Sequence, residues 1–335
     1  MRRVWWTGCL IIEKHPTLVC VLAGMAKLSR SRFLSLSLSG VVAAAAVTVS
    51  FAASAQDTVP TKPQPKADAK RQAPAKIEGP PPTEKKVYKE IGDTMLEIWI
   101  WKPEGWKADD KRSAMVFYHG GGWRNGSPNA FSRQSAELAK LGMVAISVQY
   151  RLTSQSGVTV ADCVKDARSA FRWVRSHASE LGIDPAKIAA GGGSAGGHLA
   201  ATLVTLDEVN DAKDDLSVSA KPVALVLFNP ATKLDYRRLT EVAAAKQEEL
   251  LKVSPYHHLK AGHPPTLIFH GDADSTVPID TAQAYAAKVK ELGGSCVVDV
   301  FSGEAHGFFN KEPAYSKTAE KMIAFLREQG LLGKE

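Results

Sequence analysis

The stretch "KIAAGGGSAGGHLA", residues 187–200, sets one serine between two runs of glycine. The residues before it are typical of the end of a buried strand, and those after it of an apolar helix. Gly192 to Gly196 has the pattern G-x-S-x-G, which is typical of a sharp strand-to-helix turn with a nucleophilic serine, and small neighbours let the chain fold back. We therefore predict that Ser194 is a nucleophile. A glycine-rich phosphate loop is the alternative, but its pattern requires a lysine where this chain has His198.

Apolar runs alternate with amphipathic segments along the chain. Five continuous runs indicate strands that are buried on both faces, while residues 95–101 alternate as in a half-exposed antiparallel strand. These five runs are AMVFYHG, MVAISVQY, KIAAGG, PVALVLFN and TLIFHGD. Apolar spacing predicts a helix from Val160 that ends at Gly182, a second over 279–294, and a closing helix after the last strand, CVVDVF. The alternation predicts an α/β fold with a mostly parallel central sheet and helices on both faces.

The partners that a nucleophilic serine needs follow the last two predicted strands. Reactive residues gather at the carboxyl ends of parallel strands, and a serine requires a base that a carboxylate holds in place. The segment "FSGEAHGFF" offers His306 as the base. The segment "FHGDADSTVP" offers two carboxylates: Asp274 lies further into the loop and is the preferred acid, whereas Asp272 is expected to brace the turn. The chain order Ser194, Asp274, His306 agrees with the order known for this serine motif.

The loop "HGGGW", residues 119–123, follows a predicted strand and supplies candidate amide donors. Acyl transfer requires backbone amides that face the oxyanion of the tetrahedral intermediate. We assign this role to Gly121 and Gly122, together with Ala195 after the predicted nucleophile. A merely flexible glycine loop is the alternative. Trp123 and Tyr236 are candidate substrate contacts, although ordinary packing is the favoured explanation for both residues.

Taken together, these motifs resemble the α/β-hydrolase superfamily, and within it the acetyl esterase/lipase group. This group includes hormone-sensitive-lipase-like carboxylesterases and bacterial feruloyl or acetylxylan esterases. The resemblance covers roughly Val87 to Gly330 and includes Y-R-L at residues 150–152. It implies the same nucleophile, acid and base, a structural role for Arg151 against a carboxylate such as Asp166, and no cofactor.

The family resemblance also bears on the substrate. Relatives often carry a large cap, whereas the insert at residues 229–263 contains one convincing helix, which suggests an open cleft. We therefore expect hydrolysis of short-chain or carbohydrate-linked esters of the acetyl or feruloyl type. A prolyl-oligopeptidase-like serine peptidase and a non-catalytic binding protein on the same fold are the alternatives. A peptidase of that kind usually has a propeller domain, for which the N-terminal segments leave no room.

The N-terminal part of the chain reads as targeting sequence rather than core. From Met25, basic residues precede an apolar stretch and an A-x-A site that ends at Ala55, which predicts a secretory signal and a secreted or periplasmic protein. An uncleaved membrane anchor is the alternative. We expect residues 1–55 to be an upstream extension and signal, residues 56–86 a proline-rich disordered linker, and residues 87–335 the catalytic domain, with its small cap at about 229–263.

Charge and cysteine content argue against nucleic-acid and metal functions. Residues 1–90 carry 14 Lys and Arg against 6 Asp and Glu, whereas residues 91–335 carry 28 against 29. The net charge of +7 therefore stems from the N-terminal part, and the predicted domain lacks the basic surface that phosphates require. Cys163 and Cys296 are expected to pack as free apolar residues, since no C-x-x-C or clustered His/Cys spacing indicates a metal.

Overall fold

The computed structural model describes residues 79–235 and 244–333, and the fold within them is built on one eight-stranded sheet. The strand order is β1-β2-β4-β3-β5-β6-β7-β8. Strands β1 and β2 lie at one edge and pair in antiparallel fashion, β1 with β2 and β2 with β4. The six strands from β3 to β8 are all parallel. In chain order, the strands are β1 (Glu84–Ile91), β2 (Thr94–Trp101), β3 (Arg112–Tyr118), β4 (Val144–Val148), β5 (Ile183–Gly193), β6 (Leu225–Phe228), β7 (Thr266–Gly271) and β8 (Cys296–Phe301).

Six α-helices among the described residues connect or follow these strands. They are α1 (Ser132–Lys140), α2 (Val160–Ser176), α3 (Ala195–Thr205), α4 (Ala244–Lys252), α5 (Ile279–Glu291) and α6 (Ala314–Glu328). A capping box begins α2, because Thr159 accepts from the backbone of Asp162 while the Asp162 carboxylate accepts from the Thr159 backbone. Short 3-10 turns lie at 128–131, 255–258 and 308–310.

The helices cover both faces of the sheet, and alternate strand residues divide the core into two layers. On one face, Val116 and Leu227 pack with Phe171 of α2 and Leu199 of α3. On the other face, residues next to them on the same strands pack with α1 and α6; this layer includes Phe117, Phe228, Leu138 and Met322. Each fully buried side chain of this size stabilises the fold by roughly 1.5–3 kcal/mol. The two-sided burial explains the continuous apolar runs and confirms the predicted fold class.

Two predicted boundaries are wrong. Strand β1 begins at Glu84, so the expected disordered linker does not extend to residue 86. The strand lies at the sheet edge with charged residues on its open positions, and only Tyr88 is buried, which is why its sequence looked like linker. Helix α2 ends at Ser176 rather than at Gly182, because the chain turns there and buries Leu181 outside the helix.

Other expectations are confirmed or fall outside the described residues. Cys163 and Cys296 are buried and free. Among the described residues, no helix has the length and apolarity that crossing a bilayer requires. The predicted signal, most of the predicted linker, Tyr236 and the first five residues of the predicted cap helix, 239–243, lie outside the described residues.

Candidate active site

Ser194 occupies the turn between β5 and α3 with a strained backbone. Its φ is 54° and its ψ is −117°, a combination that residues with a side chain rarely adopt. The Ser194 amide donates to the Phe228 carbonyl at 2.9 Å, which ties the turn to strand β6. Because Ser194 directly precedes α3, its hydroxyl lies at the positive end of the helix dipole.

The glycines beside Ser194 are sterically required. A Cβ at Gly196 would collide with the carbonyl oxygen of Tyr118. A Cβ at Gly192 would lie 2.5 Å from the carbonyl carbon of Gly196, a separation that real Cβ atoms essentially never show. The five glycines around one hydroxyl thus allow the neighbouring backbone segments to approach each other closely.

The structure brings Ser194, His306 and Asp274 together in one chain of hydrogen bonds. His306 Nε2 lies 2.9 Å from Ser194 Oγ, and His306 Nδ1 lies 2.6 Å from Asp274 Oδ2. A carboxylate only accepts, so Nδ1 carries the proton and Nε2 of the neutral ring is free to accept from the serine hydroxyl. This tautomer is the one that a general base for Ser194 needs.

The carboxylate of Asp274 is buried and held from several sides. Its Oδ1 accepts from the backbone amides of Thr276 at 2.8 Å and Val277 at 2.9 Å. Burial acts to raise the pKa of Asp274, but hydrogen bonds from His270, His306 and the Val277 amide outweigh it and hold the pKa well below its ordinary value. The carboxylate is therefore ionised at neutral pH.

The loop after β3 passes directly over the serine. A Cβ at Gly120 would lie 3.0 Å from the Gly193 carbonyl oxygen and 3.4 Å from Ser194 Cβ. None of the described residues accepts a hydrogen bond from the backbone amides of Gly121 or Gly122, whose φ angles are 115° and 61°.

Ala195 contributes the third amide of the predicted set. It is the first residue of α3, where the amide has no acceptor within the helix. The three amides of Gly121, Gly122 and Ala195 are thus available to an oxyanion, and that role for them stays a prediction.

Trp123 is packed rather than open. Only 8% of the residue is exposed, and Trp123 Nε1 donates to Nδ1 of the fully buried His198 at 3.2 Å. His198 Nε2 donates in turn to the carbonyl oxygen of Val253 at 2.8 Å. Burial lowers the pKa of His198 to about 4, so the ring is neutral at pH 7. This packing leaves little of the indole for a substrate, and a substrate contact by Trp123 stays a prediction.

Two other polar residues in the loops of the site, His119 and Asp272, have structural roles. His119 contacts the Gly120 carbonyl oxygen through Nδ1 at 2.8 Å and stacks on Tyr150 with a centroid separation of 4.2 Å. Asp272 accepts from the Gly303 amide at 2.6 Å and so braces the turn, as predicted.

Arg151 binds the carboxylate that the resemblance suggested. Its guanidinium donates through Nε and Nη2 to the two oxygens of the fully buried Asp166, at 2.7 and 2.8 Å. This bidentate pair confirms the expectation.

Two further polar residues, His270 and Asn229, lie near the triad. His270 Nε2 lies 3.4 Å from Asp274 Oδ2 and 2.9 Å from the Val277 carbonyl oxygen. Asn229 Oδ1 accepts from the Gly307 amide at 3.0 Å. His270 braces the loop backbone after β7, as its place beside a glycine at a strand end predicts. Asn229 was not identified from the sequence, although its position at the carboxyl end of β6 could have suggested it.

Comparison with known proteins agrees with this geometry. Residues 115–310, more than half of the chain, match the family with the alpha/beta hydrolase fold. The chain is similar to the probable carboxylic ester hydrolase LipM of Mycobacterium tuberculosis, with 28% identity over 224 residues, 61% of this chain and 50% of LipM. It is also similar to carboxylesterase NlhH of the same organism, with 34% identity over 150 residues, 44% of this chain and 43% of NlhH. The chain spans about half the length of the curated relatives it matches.

Among solved structures, the chain is similar to esterase 2 of Thermogutta terrifontis. The propionate-bound structure of that enzyme has a TM-score of 0.71 and 46% identity, and the match covers 75% of this chain and 96% of the other. The form phosphorylated by paraoxon has a TM-score of 0.70 and 47% identity, with the same coverage. The chain therefore belongs to the alpha/beta hydrolase fold family, as its motifs implied.

Proposed function

We propose that this protein is a serine carboxylesterase that works through an acyl-enzyme. His306 Nε2 removes the proton of Ser194 Oγ as the oxygen attacks the ester carbonyl, and Asp274 holds the ring and stabilises its positive charge. The protonated His306 then gives its proton to the leaving alcohol. Water, activated by the same imidazole, releases the carboxylic acid and restores the serine.

Backbone amides complete the proposed mechanism. The tetrahedral intermediate places a negative charge on the former carbonyl oxygen, and the amides of Gly121, Gly122 and Ala195 stabilise that charge. They are fixed before the substrate arrives, so little reorganisation accompanies the reaction. The N-terminus of α3 adds a favourable dipole at the same point.

The observation that carries the proposal is the unbroken hydrogen-bond chain from Ser194 through His306 to Asp274, at 2.9 and 2.6 Å. It is joined to a strained serine turn, an ionised buried carboxylate and free amides. The ester hydrolases among its relatives support the same reaction class.

We propose esters of short acyl chains as substrates, including acetyl and feruloyl groups on carbohydrates. The short-chain part is supported by the related Thermogutta esterase 2, for which propionate-bound and butyrate-bound structures are known. The carbohydrate part is supported by the insert after β6, whose described residues contain a single nine-residue α-helix, α4, as expected for a small cap.

One hydrolysis assay tests the proposed reaction and the proposed substrate class together. Its substrates are p-nitrophenyl acetate, butyrate and laurate, acetylated xylan and a feruloylated sugar. We expect the two short p-nitrophenyl esters to be hydrolysed fastest, and a peptide p-nitroanilide to remain intact. Ser194→Ala should lower kcat by at least about 10⁴-fold. Ser176→Ala, at an exposed serine, is the control and should keep full activity. Retained hydrolysis in Ser194→Ala would contradict the mechanism.

Paraoxon provides a second test, since it phosphorylates the Thermogutta enzyme. We expect loss of activity after modification of one site per chain, with the diethylphosphoryl group on the peptide that contains Ser194. No modification of that peptide, or modification elsewhere with equal loss of activity, would contradict Ser194 as the nucleophile.

We further propose export of the protein beyond the inner membrane, with a signal at residues 25–55 and a linker before the catalytic domain. The charge and apolar pattern of that segment supports this location. N-terminal sequencing of protein recovered from outside the cytoplasm should begin just after Ala55. A retained signal in membrane fractions would indicate the anchor instead.

A further inference from the structure

Asn229 lies between two loops of the candidate site: the turn that carries Ser194 and the loop that carries His306. It follows Phe228, the last residue of β6, whose carbonyl accepts from the Ser194 amide at 2.9 Å. The Asn229 amide itself donates to the Phe269 carbonyl of β7 at 2.7 Å. The residue is fully buried and is bonded through its backbone to the neighbouring strand.

The side chain of Asn229 holds the loop that carries His306. Its Oδ1 accepts from the amide of Gly307, the residue after His306, at 3.0 Å. Gly307 has a φ of 77°, a conformation that favours glycine, so the loop turns sharply just after the imidazole. A hydrogen bond at this amide therefore restricts the orientation of the His306 ring.

Two features of Asn229 lower the stability of the fold. Its φ is 37°, in the left-handed region that asparagine tolerates better than most side chains. Its Nδ2 is enclosed and has no hydrogen-bond partner among the described residues. The amide cannot be turned round, because the Gly307 N–H can only donate and must face an oxygen. An unpaired buried donor costs free energy, and such costs in folded proteins concentrate at functional sites.

An aspartate at position 229 would also accept from Gly307 and would have no unpaired donor. It would, however, bring a second carboxylate close to His306, which already bonds to Asp274. A negative charge there would stabilise the imidazolium and keep more of the base protonated at neutral pH. The uncharged amide fixes the loop without that effect.

We propose that Asn229 is a positioning residue for His306: its carbonyl oxygen fixes the loop through Gly307, and its lack of charge keeps the imidazole free to act as a base. The proposal rests on the proposed esterase function for its kinetic consequences. The contact with Gly307 can be tested without any activity.

The experiment compares Asn229→Gly, Asn229→Asp and the control Asn310→Ala in the full chain. Glycine removes the acceptor and tolerates the positive φ, so the fold should persist, which far-ultraviolet circular dichroism checks. Asn310 is exposed and donates to the carbonyl of the same Gly307 at 3.2 Å, so its variant removes a different bond to the same residue.

We expect Asn229→Gly to lower kcat for p-nitrophenyl butyrate about 10- to 100-fold with KM changed less than about 3-fold, since substrate binding is not touched. Hydrogen exchange at the Gly307 amide should become about 10-fold faster. Asn229→Asp should keep that amide protected and move the acidic limb of the kcat/KM profile upward by about one pH unit. Asn310→Ala should stay within about 3-fold of the wild-type kcat.

Wild-type kcat and an unchanged Gly307 exchange rate in Asn229→Gly would overturn the proposal. An unmoved pH profile in Asn229→Asp would overturn the need for a neutral side chain. If the wild-type protein hydrolyses no ester, the proposed function fails, while faster Gly307 exchange in Asn229→Gly still supports the positioning contact.

Discussion

At the scale of single residues, backbone strain is concentrated around the candidate site. Among the described residues, three that are not glycine have positive φ: Trp123 at 59°, Ser194 at 54° and Asn229 at 37°. All three follow the carboxyl end of a parallel strand. Such conformations cost of order 1–3 kcal/mol each, so the surrounding hydrogen bonds must hold them. The candidate site is thus shaped by main-chain geometry as well as by side-chain chemistry.

Gly121 and Gly122 allow a matched pair of substitutions in the loop over Ser194. A Cβ at Gly121 would collide with the Asn125 carbonyl oxygen, whereas a Cβ at Gly122 meets nothing within 4 Å. We expect Gly121→Ala to displace the loop amides and to lower kcat for p-nitrophenyl butyrate roughly 10²–10³-fold. Gly122→Ala only has to accept a left-handed φ, and should cost about 1–2 kcal/mol of stability.

The measurement for this pair is kcat together with urea unfolding of both variants. Equal losses of kcat in Gly121→Ala and Gly122→Ala would show that loop displacement is not the cause.

At the scale of elements, one buried histidine joins three parts of the site. His198 lies on α3, accepts from Trp123 of the loop after β3, and donates to Val253 just after α4. These three segments are distant in the sequence. Because the ring is fully buried, its charge state affects their connection directly.

The pKa of His198 implies that stability falls in mild acid. Burial lowers this pKa from its ordinary 6.5 to about 4, so the unfolded chain takes up the proton at higher pH than the folded protein does. The free energy of unfolding is therefore not reduced by this group above pH 6.5. It falls as the pH drops from 6.5 towards 4, by about 3 kcal/mol in total. His198→Gln should remove that part of the pH dependence of the unfolding free energy.

Urea unfolding at several pH values between 7 and 4 measures this difference. Trp123→Phe serves as the control, because it removes the hydrogen bond and keeps the buried histidine, so stability should fall while the pH dependence persists. If the unfolding free energy of the wild type and of His198→Gln changed in parallel with pH, His198 would not be the source of the acid sensitivity.

At the scale of the whole molecule, the domain begins earlier than its sequence indicates. The Trp101 indole donates to the Pro80 carbonyl at 3.0 Å, and the Gly79 amide donates to Ser132 Oγ at 2.9 Å. Residues 79–86 therefore belong to the folded unit, although their prolines and lysines are typical of a linker.

Two truncated chains test this boundary. A chain that begins at Val87 loses the first three residues of β1. It also loses the hydrogen bonds of Pro80 with Trp101 and of Gly79 with Ser132. We expect its unfolding free energy to be about 2–4 kcal/mol lower than that of a chain that begins at Gly79, at 0.5–1.5 kcal/mol for each lost hydrogen bond. Equal stability of the two chains in urea would place the boundary at Val87 after all.

The local pattern of the sequence determined the α/β fold and the candidate triad. Strands buried on both faces must be continuously apolar, and parallel strands bring their following loops to one edge, so Ser194, Asp274 and His306 could be inferred from strand ends. Helix α1 was not predicted, since its buried side combines polar residues such as Ser132 and Gln134 with a single large apolar residue, Leu138.

Only the tertiary structure decided how these loops are held. The bond between Asn229 and Gly307 joins residues 78 positions apart, and the link from Trp123 to His198 spans 75. The end of α2 and the start of β1 likewise depend on contacts with segments that are distant in the same sequence. Periodicity reports which side of an element is buried, because burial repeats along the chain. A hydrogen bond between distant loops produces no periodic pattern in the sequence. It can be identified only from the tertiary structure, in which the strands bring the two loops together.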